Sequence, residues 1–411
     1  MRITRIQAEN YKGFKKIDID LNRDFTILCG TNGVGKSSIL FAIATGLSKA
    51  YTANSRISED AQIKINFIGR NGVESVTGFG KGSFQKFSNV SSSIHMYAPF
   101  VEEDGSLSNI YSGSVKDSIS PLFIGPYRNI HYKKIDGMKS ESSKDESRKE
   151  YLESSVLALS NGQMPDVKQW MINRYFIIDK DWAEVEKYNW ELILKAISDS
   201  TMIEGGFKFN KIERDLEPSF LLEGSEIYLE ELSSGFKSII SIVFSIVEWI
   251  EKTNDEGKAR IDIAEGTVII DEVDSHLHPS WQSKIKTVLE KTFPKIQFIV
   301  TTHSPHVISS GKKGEVLVLK NIDGCLSAHS IDTTLEFWKT EDIFQDVMKV
   351  DTLYENNFRE LIEQIEDLIS QALYAEAKSV LERYQDNAHP ADNTPRALLR
   401  RINVLIGKGS E

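Results

Sequence analysis

Cysteine is scarce: Cys29 and Cys325 are the two thiols in 411 residues. With no ligand spacing beside them, they build neither a disulfide framework nor a metal site, the pattern of a chain kept in a reducing compartment. Proline is sparse too, at 10 residues, so no proline-rich arm is present. Long apolar runs are missing. The longest, residues 238–250 (SIISIVFSIVEWI), is shorter than the ~18 residues of a membrane span and contains Glu248. The opening MRITRIQAENYKGF is polar and strand-like, without the apolar centre of a secretory signal. A basic excess is missing as well: 49 Lys and Arg stand against 60 Asp and Glu, a formal charge of −11. That balance argues against coating DNA by bulk charge, although a local basic groove stays open. These absences set the expectation of a cytoplasmic protein with no membrane partner.

At ~150 residues per domain the length allows two or three domains. Apolar alternation predicts strands over 2–9 and 14–21, and the run FTILC predicts a buried one over 25–29. A glycine-rich turn at 30–35 leads into a helix over 36–50. A strand fits 62–68, Gly- and Ser-rich turns and short hairpins fit 69–93, and a strand around 121–125 runs into GPYRNI. The very polar 136–150 (DGMKSESSKDESRKE) reads as a mobile loop, and 148–200 as helical with Trp170, Trp182 and Trp190 packing. Hairpin or sheet edge fits 207–230. Then come a helix over 235–252, a strand over 267–270, a helix over 279–292 and a strand over 296–300, followed by strands near 315–319 and 326–331. Short apolar runs alternating with helices predict a parallel sheet covered on both faces. The tail 352–406 is helical, with apolar positions three and four apart.

The strongest local signal is Gly30-Thr31-Asn32-Gly33-Val34-Gly35-Lys36-Ser37, a complete G-x-x-x-x-G-K-S between an apolar strand and a helix. Glycines let consecutive N–H groups point into one cavity, and the helix N-terminus adds positive potential. Lys36 is placed to reach the β- and γ-phosphates of a nucleoside triphosphate, and the Ser37 hydroxyl to ligate Mg²⁺. Gly30, Asn32, Gly33, Gly35, Lys36, Ser37 and Ser38 are the expected nucleotide contacts. The strand at 267–270 ends in Asp271-Glu272, at the sheet edge where open α/β sheets bind ligands. Asp271 is the candidate second Mg²⁺ contact, and Glu272 the candidate base that polarises the attacking water.

Four further motifs carry a resemblance. Leu232-Ser233-Ser234-Gly235-Phe236-Lys237 is similar to the signature of ABC-type ATPases, about 30 residues ahead of the acidic strand. Thr301-Thr302-His303-Ser304-Pro305 looks like their switch histidine, and DEVDSHLHP at 271–279 resembles the corresponding stretch of RecF/SMC-like and OLD-like members. Asn10-Tyr11-Lys12-Gly13-Phe14 matches their N-terminal strand. In this order over residues 1 to about 320, the motifs resemble a RecF/SMC/OLD-like ABC-type ATPase. The resemblance implies a P-loop NTPase of ABC-ATPase type, α/β, with a mixed sheet core, an inserted mainly helical lobe and a C-terminal helical tail. Its parts are residues 1–135 with the phosphate loop, 136–215 as the inserted lobe, 216–335 with signature, acidic pair and switch His, and 336–411 as a helical partner or oligomerisation region.

The resemblance also implies roles. Lys36, Glu272 and His303 are the catalytic set for hydrolysing ATP to ADP and phosphate, slowly or under regulation. Ser234 and Gly235 bind the γ-phosphate held by a second copy, with Ser275 and His276 meeting that copy. Cofactors are ATP and Mg²⁺, and the first partner is the chain itself, as a dimer or higher homo-oligomer. No glutamine stands in the context of the family's Q-loop; Gln85 and Gln163 lack it. Asp274, His276, His278, His303 and His306 could suggest a metal cluster, but the motif accounts for His303 and the HLHP turn without one. OLD-type nucleases carry a Toprim domain after the ATPase, whereas only about 80 residues follow here, without an Asp-x-Asp pair. His389 and Asn393 in DNAHPADN read as an inter-helix loop rather than an HNH site. The tail resembles that of the ATPase subunits of Septu anti-phage systems, which implies a separate HNH-type nuclease as partner. The alternative is a RecF-like DNA-repair ATPase that clamps DNA in response to ATP.

Overall fold

The computed structural model describes residues 2–48, 57–69, 72, 74–80, 99–101, 107–109, 120–198, 206–349, 356–387 and 394–408. The chain divides into two compact units, Met1–Lys349 and Val350–Glu411. In the first, strands β1 (Arg2–Tyr11), β2 (Phe14–Asp20) and β3 (Phe25–Cys29) precede helix α1 (Lys36–Ser48). Strands β4 (Ile57–Ile68) and β5 (Glu74–Gly80), a small ribbon of β6 (Pro99–Val101) with β7 (Leu107–Asn109), and β8 (Leu122–Ile124) follow. Helices α2 (Lys144–Asn161), α3 (Val167–Ile177) and α4 (Glu184–Ser198) lead to a three-stranded sheet of β9 (Lys208–Ile212), β10 (Pro218–Leu222) and β11 (Ser225–Tyr228). Then come α5 (Ser234–Thr253), β12 (Gly266–Ile270), α6 (Pro279–Thr292), β13 (Ile296–Thr301), α7 (Pro305–Ser309), β14 (Val316–Ile322), β15 (Cys325–Ser330) and α8 (Thr340–Asp342).

One ten-stranded sheet, ordered β5-β4-β1-β2-β15-β14-β3-β13-β12-β8, organises this unit. The run β14-β3-β13-β12-β8 is parallel, and β5-β4-β1-β2 is an antiparallel edge. Every residue of β3, β12 and β13 is buried, because the period-2 alternation of a strand feeds two different cores. Ile27, Val268, Ile270, Phe298 and Val300 face the layer of α3, α4, α5 and α6. Leu28, Ile269 and Ile299 face α1, α2 and the antiparallel strands.

Two sequence expectations fail here. The polar run 136–150 is not loop throughout, since α2 begins at Lys144. Ser143 caps it, accepting from the Glu146 N–H while the Glu146 carboxylate accepts from the Ser143 N–H. Arg148 then ties it to the Thr253 carbonyl at 2.8 Å and to Asp255 at 2.6 Å. A run this polar is helical because its caps and ion pairs do the work that apolar periodicity usually does. Trp182 is 70% exposed, on the turn between α3 and α4, whereas Trp170 and Trp190 are buried. Most of 69–93, including Gln85, lies outside the described residues, as do His389 and Asn393.

The second unit contains α9 (Asn356–Ser370), α10 (Tyr374–Asn387) and α11 (Thr394–Lys408). Ile365, Ile369, Val380, Leu381 and Ile402 form its own core. Among the described residues no helix is long and apolar enough to cross a membrane.

Candidate nucleotide site

The site is built where the parallel strands end. β3 gives way to the loop 30–35, in which Gly30, Gly33 and Gly35 have φ of +146°, +74° and +115°. At Gly35 glycine is required twice over, because a Cβ would also stand 2.5 Å from the Phe14 ring. α1 starts at Lys36, so its free N–H groups open on the loop. The buried Lys36 ammonium donates to the Gly30 and Thr31 carbonyls at 3.0 and 3.1 Å, and burial lowers its pKa.

β13 lies between β3 and β12, which brings the phosphate loop and the acidic pair to one edge. The Ser37 hydroxyl donates to Asp271 Oδ1 at 3.2 Å, and the Thr301 hydroxyl donates to the same oxygen. Thr301 Oγ1 also accepts the Glu272 N–H at 2.7 Å. Glu272 is in the left-handed region at φ +48°. Desolvation, followed by repulsion from Asp271 and Asp274, raises its pKa above the ordinary carboxylate value. His303, half-buried, is pushed the other way, below the ordinary imidazole value, by desolvation and by Lys36. One step behind, Thr302 donates to Asp274 at 2.5 Å and Ser304 donates to Gln282 at 2.6 Å, while Gln282 donates to the Leu277 carbonyl at 2.8 Å.

Lys36, Ser37, Asp271, Glu272 and His303 thus converge, linked by direct bonds and by the charge interactions that shift Lys36, Glu272 and His303. Asn32 and Gly33 are exposed on the loop, and Ser38 is partly buried on α1. Ser234 is the exposed first residue of α5. The buried Gly235 lies against the 271–279 turn: a Cβ there would stand 3.0 Å from the His276 carbonyl and 3.0 Å from the Trp281 ring. His278 caps α6. Gln163 is exposed just after α2. Sequence reading quoted Thr301 in the switch motif without giving it a role, and missed Gln282 and the buried Arg128; the last is visible only as one basic residue in GPYRNI after an apolar strand.

The sheet order and this constellation define the class, an ABC-like AAA ATPase. The fold is similar to that of an SMC head bound to the C-terminal winged-helix domain of ScpA, with a TM-score of 0.50 and 15% identity over 81% of this chain and 98% of that one. Residues 1–153 match the family model "AAA ATPase domain", and residues 168–309 match "AAA domain, putative AbiEii toxin, Type IV TA system". More particularly, the chain is related to Septu protein PtuA. It is 25% identical to that of Bacillus thuringiensis over 99% of this chain and 98% of the relative. It is 30% identical to that of Bacillus mycoides (strain KBAB4) over 77% of this chain, spanning 40% of that longer relative. A third relative, the Retron Ec83 probable ATPase of Escherichia coli, is 26% identical over 99% of this chain and 87% of the relative.

Proposed function

We propose that this ATPase hydrolyses ATP between two copies of itself and thereby controls a separate HNH-type nuclease in anti-phage defence, in the cytoplasm. The observation that carries the reading is the end-to-end likeness to a Septu protein, which includes the C-terminal unit as well as the nucleotide site. The C-terminal region 336–411 or the inserted lobe 136–215 is the proposed contact for the nuclease.

The chemistry follows from the side chains. Lys36 leaves its loop carbonyls to bind the β- and γ-phosphates, where a compact ammonium is worth most in a partly buried site. Ser37 and Asp271 present a hydroxyl and a carboxylate 3.2 Å apart beside the loop, the hard oxygen donors that fit Mg²⁺; when bound, that ion neutralises phosphate charge. Glu272 orients the attacking water and accepts its proton, and its raised pKa makes it a stronger base than an ordinary glutamate. His303 donates a ring N–H to the γ-phosphate. Ser234 and Gly235 of a second copy close the site from the N-terminus of α5. A two-fold interface of this kind buries two ATP molecules at once.

The test is affinity purification of the Glu272→Gln chain from its native host in Mg·ATP, which holds the assembled state. A stoichiometric HNH-type nuclease is the expected companion. Recovery of repair or replication proteins with DNA, and no nuclease, would replace this reading by a DNA-clamping one.

A further inference from the structure

Arg128 is among the largest fully buried side chains of the molecule. It follows β8, the strand paired with β12, and its guanidinium reaches across to the turn that leaves β12. Nη1 donates to the Asp271 carbonyl at 3.1 Å, and Nη2 donates to the Glu272 carbonyl at 2.6 Å. Nε donates to the Ser238 hydroxyl of α5 at 3.0 Å. Weaker contacts of 3.4 Å run to the Gly125 and Ser275 carbonyls. The Ser238 hydroxyl in turn donates to the Ser275 carbonyl at 3.3 Å. All three guanidinium nitrogens are therefore spent on the 271–275 turn, on α5 and on the arginine's own loop.

That turn needs holding. Glu272 at φ +48° and His276 at φ +66° are in a region that non-glycine residues adopt only when their surroundings impose it. Thr301 grips the Glu272 peptide by its N–H, and Arg128 grips it by its carbonyl. Together they hold the main chain from which the carboxylate projects. Ser238 is one helical turn beyond Ser234, so the same guanidinium ties the start of α5 to the acidic pair.

We propose that Arg128 is a positioning residue for ATP hydrolysis, its fork shaping the turn that carries Glu272 and coupling that turn to the signature end of α5. The proposal rests on the assignment of Glu272 as base. A lysine cannot replace the fork, because an ammonium offers one point charge where the planar guanidinium serves separate acceptors at fixed angles.

The experiment compares full-length wild type, Arg128→Lys, Ser238→Ala and Glu272→Gln in steady-state ATP hydrolysis against pH, with thermal unfolding alongside. Arg128→Lys should lower kcat by about tenfold or more while KM for ATP stays within about threefold, because the phosphate loop is untouched. That split between kcat and KM is a change that lost stability alone would not produce. Ser238→Ala should lower kcat by roughly two- to fivefold while KM for ATP stays within about threefold. Wild-type kcat in a folded Arg128→Lys, or a raised KM with kcat retained, overturns the inference. If Arg128→Lys does not fold, Ser238→Ala decides, and wild-type kcat there overturns it. An inactive Glu272→Gln beside a normal Arg128→Lys defeats this inference alone, whereas a fully active Glu272→Gln defeats the base assignment and the inference with it.

Discussion

Glu272 is the proposed base, and its setting makes a specific demand. It sits beside Asp271 and Asp274, partly desolvated, with its backbone in a left-handed conformation. A base must be ionised to act, so activity is lost as pH falls through its pKa. Because that pKa is raised, the acid limb of kcat should lie above the ~4.3 of a free glutamate, and Glu272→Gln should abolish the limb together with the turnover. A limb at or below the ordinary glutamate value would contradict the assignment. That Lys36, Ser37, Asp271, Glu272 and His303 meet at one sheet edge was legible in the sequence, because phosphate chemistry ties residue types to short spacings around one turn. Arg128 was not. Its partners are backbone carbonyls 143 and 144 residues away, and any residue type supplies a carbonyl. Thr301 stood in the switch motif without a role of its own, because it acts on the Glu272 main chain 29 residues away, and Gln282 has as its main-chain partner the Leu277 carbonyl just ahead of its own helix, which any residue type supplies.

Among the elements, α5 carries the most. Its N-terminus presents Ser234 and its body is almost wholly buried, acidic residues included. Glu251 is satisfied on both oxygens: Oε2 accepts from Trp170 at 2.9 Å and from Arg174 at 2.5 Å, and Oε1 accepts from Asn189 at 3.0 Å. Glu248 is not. Oε1 accepts from Lys252, but Oε2 is buried without a partner, and desolvation lifts its pKa to about 7. A carboxyl whose pKa is raised on folding adds stability that is complete below its unfolded value and lost as pH rises through its folded one. Between roughly pH 5 and pH 8, Glu248→Gln should therefore gain about 1–3 kcal/mol relative to wild type, read from denaturant unfolding at each pH. A difference that does not change with pH would show that Glu248 is ionised throughout. The boundaries of α5, α6, β3, β12 and β13 followed closely from apolar runs and breakers. The start of α2 did not, because its helix rests on a capping box and ion pairs across to the end of α5. Trp182 misled in the opposite direction: residue type suggested burial, and a turn exposes it.

For the whole molecule, the family resemblance anticipated a mixed sheet core, and the ten-stranded sheet is mixed, with a parallel run and an antiparallel β5-β4-β1-β2 edge. One chain's sequence does not say which copy supplies which half of a site. The structure places Ser234 and Gly235 by the 271–279 turn, with Gly235 against the His276 carbonyl and the Trp281 ring. The proposed completion of the site by a second copy is tested most directly by mixing two inactive chains. Lys36→Ala spoils the phosphate loop and keeps the signature, while Ser234→Arg does the reverse. Each alone should hydrolyse ATP at well under about a tenth of the wild-type rate. Mixed in equal amounts and allowed to exchange, random pairing makes half the dimers mixed, each with one intact composite site, so roughly a quarter of wild-type turnover should return. A mixture no more active than its parents would contradict a site shared between copies.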